Sequence, residues 1–116
     1  MPSFPEKPND LLEILVNTKC TVLKFGASWC GPCKNKEFLD SYHKLKNHYT
    51  INQNVQFFEF DIDDYEQIVN ETNLYNFNIS AVPTIKVFSN GVHINTYTGT
   101  SSLEKVLNDI ESVIKE

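Results

Sequence analysis

Apolar residues recur along this chain with two alternating periods, which together predict its elements. Leu11, Leu12, Leu15 and Val16 fall at helical spacing after Asn9 and Asp10, either of which is able to cap a helix N-terminus. Residues 21–27 are a short, mostly apolar run of the kind buried within a sheet. Helical spacing returns at Phe38, Leu39, Tyr42, Leu45 and Tyr49, giving a long helix that follows a pair of cysteines at 30 and 33. Asn52, Gln53 and Asn54 end it, and the Phe-rich residues 55–62 read as a second strand. Asp63 or Asp64 caps a helix running to about Leu74 through Ile68 and Val69.

Residues 79–83 are an extended approach to a strand at 84–89. Asn90-Gly91 is a strong hairpin signal, leading into a strand at 92–98. Ser101 or Ser102 then caps a last helix carrying Leu103, Val106, Leu107, Ile110 and Val113, with Glu104 in its first turn. This order predicts the α/β class: a three-layer α/β/α sandwich around a mixed sheet of four to five strands, with about four helices. It is one domain, residues 9–116, behind a short proline-rich segment, residues 1–8.

At 116 residues the chain is long enough for a proper core without staples. The formal net charge is −5, and all ten basic residues are Lys. That balance argues against nucleic acid and against an anionic membrane surface, both of which select basic patches. No apolar run approaches the roughly 18 residues of a membrane span. The first eight residues hold three prolines and no apolar stretch, unlike a signal peptide, so the expected compartment is the cytoplasm.

Chemistry concentrates in Trp29-Cys30-Gly31-Pro32-Cys33-Lys34, at the handover from a strand to a helix. A thiol at a helix N-terminus meets unpaired N–H groups and the positive end of the helix dipole, which favour thiolate. Pro32 suits the first turn, where its missing N–H costs nothing. Three cysteines in such a chain point to redox or metal chemistry. A structural zinc needs four ligands, and Cys20, His43, His48 and His93 supply no second pair at ligand spacing. No metal is expected. Cys20, ahead of the first strand, reads as a small buried hydrophobe.

The full Trp29-Cys30-Gly31-Pro32-Cys33-Lys34 string, with Val82-Pro83-Thr84 about fifty residues later and then Asn90-Gly91 and Gly99, resembles the thioredoxin family. The resemblance covers residues 9–114. It implies a thioredoxin fold with strand order 1-3-2-4-5, the last two strands antiparallel to the rest. The first strand would fall among the prolines of residues 1–8, leaving it short or missing.

The resemblance also implies a redox disulfide between Cys30 and Cys33. Cys30 would be the exposed nucleophile and Cys33 the resolving thiol. Pro83 would be a cis-proline facing the cysteines, exposing the backbone of Val82 to an extended substrate. Trp29, Gly31 and Pro32 would complete the substrate groove. The implied activity is reduction of protein disulfides in cell redox homeostasis, by a monomer that needs no bound cofactor. Its electrons would come from a thioredoxin reductase, an NADPH-dependent flavoprotein. A protein disulfide oxidase or isomerase of the same fold is the first alternative. A redox-independent binding module using the groove at Trp29, Val82 and Pro83 is the second.

The chain departs from the family pattern at three places. Lys24 stands where the family places a buried Asp beneath the disulfide, and Glu59 where it places the nearby Lys, so the pair is swapped. Burying either charge alone would be costly, which suits opposite replacements at neighbouring sites. An ammonium near the thiols favours thiolate. The expected reduction potential is therefore less negative than the roughly −270 mV general to thioredoxins. Phe38 occupies the position of a helix-kinking proline. Segments 46–54 and 64–78 look longer than usual.

Overall fold

The computed structural model describes residues 4–66, 77 and 79–115. Within them, α1 spans Pro8–Asn17, β1 Cys20–Gly26, α2 Lys36–His48, β2 Val55–Asp61, β3 Thr84–Ser89, β4 Val92–Thr98 and α3 Leu103–Ile114. A 3₁₀ turn, Pro32–Lys34, precedes α2. The helix expected from Asp63 or Asp64 to about Leu74 falls largely on residues outside this description.

The four strands form one sheet in the order β2-β1-β3-β4. β1 pairs in parallel with β2 and antiparallel with β3, and β3 pairs antiparallel with β4. Among the described residues this is the expected order without its first strand. One expectation is corrected: β3 alone runs against the rest. A two-residue hairpin reverses the chain, so β4 returns in the direction of β1. The hairpin is built on Asn90 (φ 46°) and Gly91 (φ 85°), the doubly left-handed geometry that matches strand twist. Val87 pairs with Asn95 and Phe88 with His93, leaving Ile94 as the extra residue of a bulge in edge strand β4.

β1 is buried on both faces because its side chains alternate between two cores. Cys20 and Val22 face Phe38, Tyr42 and Leu45 of α2 and Val106, Ile110 and Val113 of α3. Leu23 and Phe25 face Leu11 and Leu15 of α1, together with Phe58, Phe60, Phe77 and Phe88. Helices thus cover both sides of the sheet, giving three layers.

Several boundaries differ from the sequence reading. α1 starts before Asn9 and Asp10: Pro8 opens it, and Lys7 occupies the N-cap without a side-chain bond. Proline at the first helical position has a preset φ and no orphan N–H, so a residue that reads as a breaker is here a starter. Val16 turns outward and Ile14 packs against the core instead. Residues 4–7 form no strand; Phe4 packs instead against Phe58, Phe60 and Tyr65, with ring centroids 6.2, 5.4 and 5.3 Å away. Ser102 is the N-cap residue of α3, but its hydroxyl makes no capping bond. Instead α3 is pinned through Asp109, which accepts from the Tyr97 hydroxyl at 2.6 Å and from Asn95 Nδ2 at 3.1 Å.

Leu23 is fully buried between α1 and the sheet. Leu23→Ala is expected to destabilise the fold by about 2–5 kcal/mol. The check is the urea midpoint of the oxidised protein, which should fall with little change in slope.

Candidate active site

The site grows from the C-terminal ends of the two parallel strands. The amide of Ile62 donates to the carbonyl of Gly26 at 2.9 Å, closing the β1–β2 ladder. Beyond it, both carboxylate oxygens of Asp61 are in use. Oδ2 accepts from the Ser28 amide at 3.0 Å; Oδ1 accepts from the Asp63 amide at 2.8 Å and the Asp64 amide at 3.4 Å. One side chain therefore fixes the loop leaving β1 and the turn leaving β2. Asp63 in turn accepts the indole N–H of Trp29 at 2.8 Å. The ring is tethered by this bond while 65% of its residue surface stays exposed.

Cys30 follows, its amide donating to the Ala27 carbonyl at 3.1 Å. Cys30 and Cys33 are joined in a disulfide with Cα atoms 5.3 Å apart. The Cys33 amide donates to Cys30 Sγ at 3.1 Å. A free N–H at the start of the 3₁₀ turn is thereby aimed at the first sulfur, as a capping side chain would be. Cys33 lies over Gly26: a Cβ added there would stand 3.6 Å from its sulfur.

Across from the sulfurs, the Val82–Pro83 peptide bond is cis. The Val82 carbonyl lies 3.5 Å from Cys30 Sγ. Three contacts hold this segment. Thr84 Oγ1 donates to the Ala81 carbonyl at 2.6 Å and lies 3.5 Å from Thr98 Oγ1, and the Gly99 amide donates to the Pro83 carbonyl at 2.9 Å. Gly99 has φ 97°, which favours glycine at the end of β4.

Trp29, Cys30, Gly31, Pro32, Cys33, Val82 and Pro83 are thus gathered in one place. Their exposure differs from expectation. Cys30 is 3% exposed and Cys33 is half-buried, the reverse of the implied order. The Val82 carbonyl and the amide of the turn close around Cys30 in the disulfide form, whereas Cys33 sits on a glycine.

Lys24 and Glu59 are register partners on β1 and β2, and their side chains form an ion pair at 2.9 Å. Glu59 also takes Lys46 at 3.2 Å. Lys24 is mostly buried, its ammonium 4.4 Å from the centroid of Tyr42 and 5.6 Å from that of Phe38. Burial pushes the Glu59 carboxyl up, but hydrogen bonds and charge from Lys24 and then Lys46 outweigh it and hold the group below the usual carboxylate range. The ammonium is therefore committed to a carboxylate and two rings. It stands one pleat repeat from Gly26, on the same face of β1 as the contact with Cys33.

The third thiol, Cys20, is fully buried and free. Burial and then the Asp109 charge push it up to about 12.

Asp61, Asp63 and Thr84 were missed as site residues in the sequence. Asp61 read there as part of a strand and Asp63 as a helix cap, and only the parallel register places residues 61–63 beside 28–30.

A disulfide on a strand-to-helix turn, facing a cis-proline loop, is matched by known proteins. The family model for Thioredoxin matches residues 6–112. The chain belongs to the thioredoxin family. Thioredoxins of Sus scrofa and Homo sapiens are each 33% identical to it over 95 residues, covering 79% of this chain and 80% of theirs. Among solved structures, oxidised mitochondrial Thioredoxin 3 from Saccharomyces cerevisiae superposes with a TM-score of 0.74 at 26% identity, covering 92% and 93% of the two chains. This thioredoxin-family protein is accordingly a thiol–disulfide oxidoreductase, with the Cys30–Cys33 pair as its redox-type cysteines. Among the described residues, no helix is long and apolar enough to cross a membrane.

Trp29 is the sole tryptophan, so its fluorescence reports this loop. Asp63→Ala is expected to free the indole and lower its steady-state anisotropy, while the melting temperature falls only slightly. Unchanged anisotropy would mean that the hydrogen bond does not hold the ring.

Proposed function

We propose that this protein is a protein-disulfide reductase in which Cys30 attacks and Cys33 resolves. The observation that carries the reading is the Cys33 amide donating to Cys30 Sγ at 3.1 Å. It singles out the first sulfur as the one whose negative charge the backbone stabilises. In the dithiol form, the Cys30 thiolate attacks one sulfur of a substrate disulfide. A bond forms between Cys30 and that sulfur, and the other substrate sulfur leaves as thiolate. Cys33 then attacks Cys30, re-forming the internal disulfide and releasing the second substrate thiolate. Two electrons pass from protein to substrate, and the two protons that Cys30 and Cys33 give up are relayed through solvent to the two substrate thiolates.

The exposed Trp29 and the outer face of Gly31 and Pro32 offer an apolar wall for the substrate. The backbone of Val82, ahead of cis-Pro83, offers main-chain hydrogen bonds to an extended segment. Disulfide-containing proteins are the substrates, and an NADPH-dependent thioredoxin reductase returns the electrons. A monomer in a reducing compartment such as the cytoplasm suits this direction of flow.

Lys24 and Glu59 modulate the couple from beneath. With Lys46 also on Glu59, the cluster carries one net positive charge, and Lys24 shares the face of β1 on which Gly26 meets Cys33; a positive charge on that side favours thiolate and makes the disulfide the stronger oxidant. This same feature is what favours the oxidase or isomerase reading.

Cys30→Ser and Cys33→Ser are each expected to lower dithiothreitol-coupled insulin reduction by about a hundredfold or more. Cys33→Ser should accumulate a mixed disulfide through Cys30. Full function of either variant in cells would instead point to a binding module. The double variant Lys24→Asp/Glu59→Lys is expected to move the reduction potential about 30 mV or more in the negative direction, measured against glutathione buffers. An unchanged potential would make the swap electrostatically silent.

A further inference from the structure

The helix after the redox pair does not begin at the redox pair. The 3₁₀ turn Pro32–Lys34 ends at Asn35, whose backbone is extended (φ −57°, ψ 123°). The carbonyl of Pro32 is taken by the Asn35 amide at 3.1 Å, three residues on, and the Gly31 carbonyl by Lys34 at 3.0 Å. Asn35 then serves as the N-cap of α2. Its side-chain oxygen accepts from the Phe38 amide at 2.9 Å, and its carbonyl from the Leu39 amide at 3.0 Å.

Two caps thus stand in tandem with the same spacing. Cys30 Sγ takes the amide of Cys33, and Asn35 Oδ1 takes the amide of Phe38. The first turn belongs to the cysteines and the second to α2. The positive end of the α2 dipole falls within its own first turn and is met there by Asn35. The N-cap of α2 is thus Asn35, five residues beyond Cys30, and not Cys30 itself. Sequence pattern alone predicts one continuous helix here, since Phe38, Leu39, Tyr42 and Leu45 carry the period without interruption.

We propose that Asn35 is a positioning residue that sets the acidity of Cys30, by keeping α2 electrically separate from the redox turn. Asn35 touches neither sulfur; it acts through the break it maintains. Without the cap, residues 32–35 join α2 as one helix, and Cys30 stands at the N-terminus of the whole dipole. Its thiolate is then favoured further. The device acts opposite to the Lys24 cluster: one raises the thiolate population and the other limits it. This inference rests on Cys30 being the attacking thiol.

The test compares reduced wild type with Asn35→Ala, Asn35→Ser and Asn35→Gln. Thiolate absorbance at 240 nm is followed against pH, and iodoacetamide-labelled peptides are mapped by mass spectrometry. Labelling of wild type at Cys33 rather than Cys30 would overturn the assignment of the nucleophile, whatever Asn35 does. With labelling at Cys30, Asn35→Ala is expected to lower its pKa by about half a unit, a roughly threefold larger thiolate fraction below the pKa. Asn35→Ser, which restores a capping oxygen, should titrate like wild type. Asn35→Gln, too long to cap well, should follow the alanine variant and serves in its place if that protein does not fold. A lower melting temperature with an unmoved pKa would reduce Asn35 to a stability cap and overturn the proposal. Equal shifts in the serine and alanine variants, or a rise in pKa, would overturn it too.

Discussion

β1 is hydrogen-bonded on both edges, in parallel to β2 and antiparallel to β3, and its side chains are buried in both cores. A strand held this way cannot slip by one residue without exchanging its two buried faces. That constraint fixes where the chain leaves the sheet, at Gly26, and so fixes the loop carrying the cysteines. Because β2 runs beside it in register, Asp61 arrives level with Gly26 and its carboxylate meets Ser28. Because β3 runs on the other side, Pro83 lies next to the residue paired with Phe25. The redox turn, the indole and the cis-proline loop are separate in sequence, yet one strand's register assembles them.

The inversion of charge beneath the turn is compatible with this frame because it occurs between register partners. Lys24 and Glu59 face each other across two hydrogen-bonded strands, so exchanging which strand carries which sign leaves the pair intact. The ammonium of Lys24 stands over the rings of Tyr42 and Phe38, adding cation–π contacts to the ion pair. The side chain of Glu59 is over a third exposed, and its interaction is screened accordingly. The pair is better understood as a local field than as a major source of stability.

The two cores were legible because apolar periodicity is strong where burial is complete, as at Val22, Leu23, Phe25 and Val87. The Asn90-Gly91 turn was legible because its φ values admit few residues. The pair of cysteines was legible because spacing alone brings two thiols together. Boundaries were less legible, for definite reasons. Pro8 starts a helix although proline inside one breaks it, so its sign depends on position. Asn35 breaks a helix that Phe38 and Tyr42 continue, and nothing in hydrophobic period records a backbone angle. The roles of Asp61 and Asp63 depend on which strand is the neighbour, and that is a property of topology. The exposure of Cys30 depends on a carbonyl fifty-two residues away.

Cys20 completes the account by what it does not do. A third thiol in a protein that handles disulfides opens wrong pairings: with Cys30, with Cys33, or with another molecule. Here that thiol is sealed at the start of the central strand, and burial pushes its pKa up to about 12, so it is almost never a thiolate at neutral pH. The oxidation chemistry of the native chain is thereby reduced to a single two-state coordinate. Scrambled isomers and cross-linked dimers are kept apart from the working cycle by the cost of opening the core.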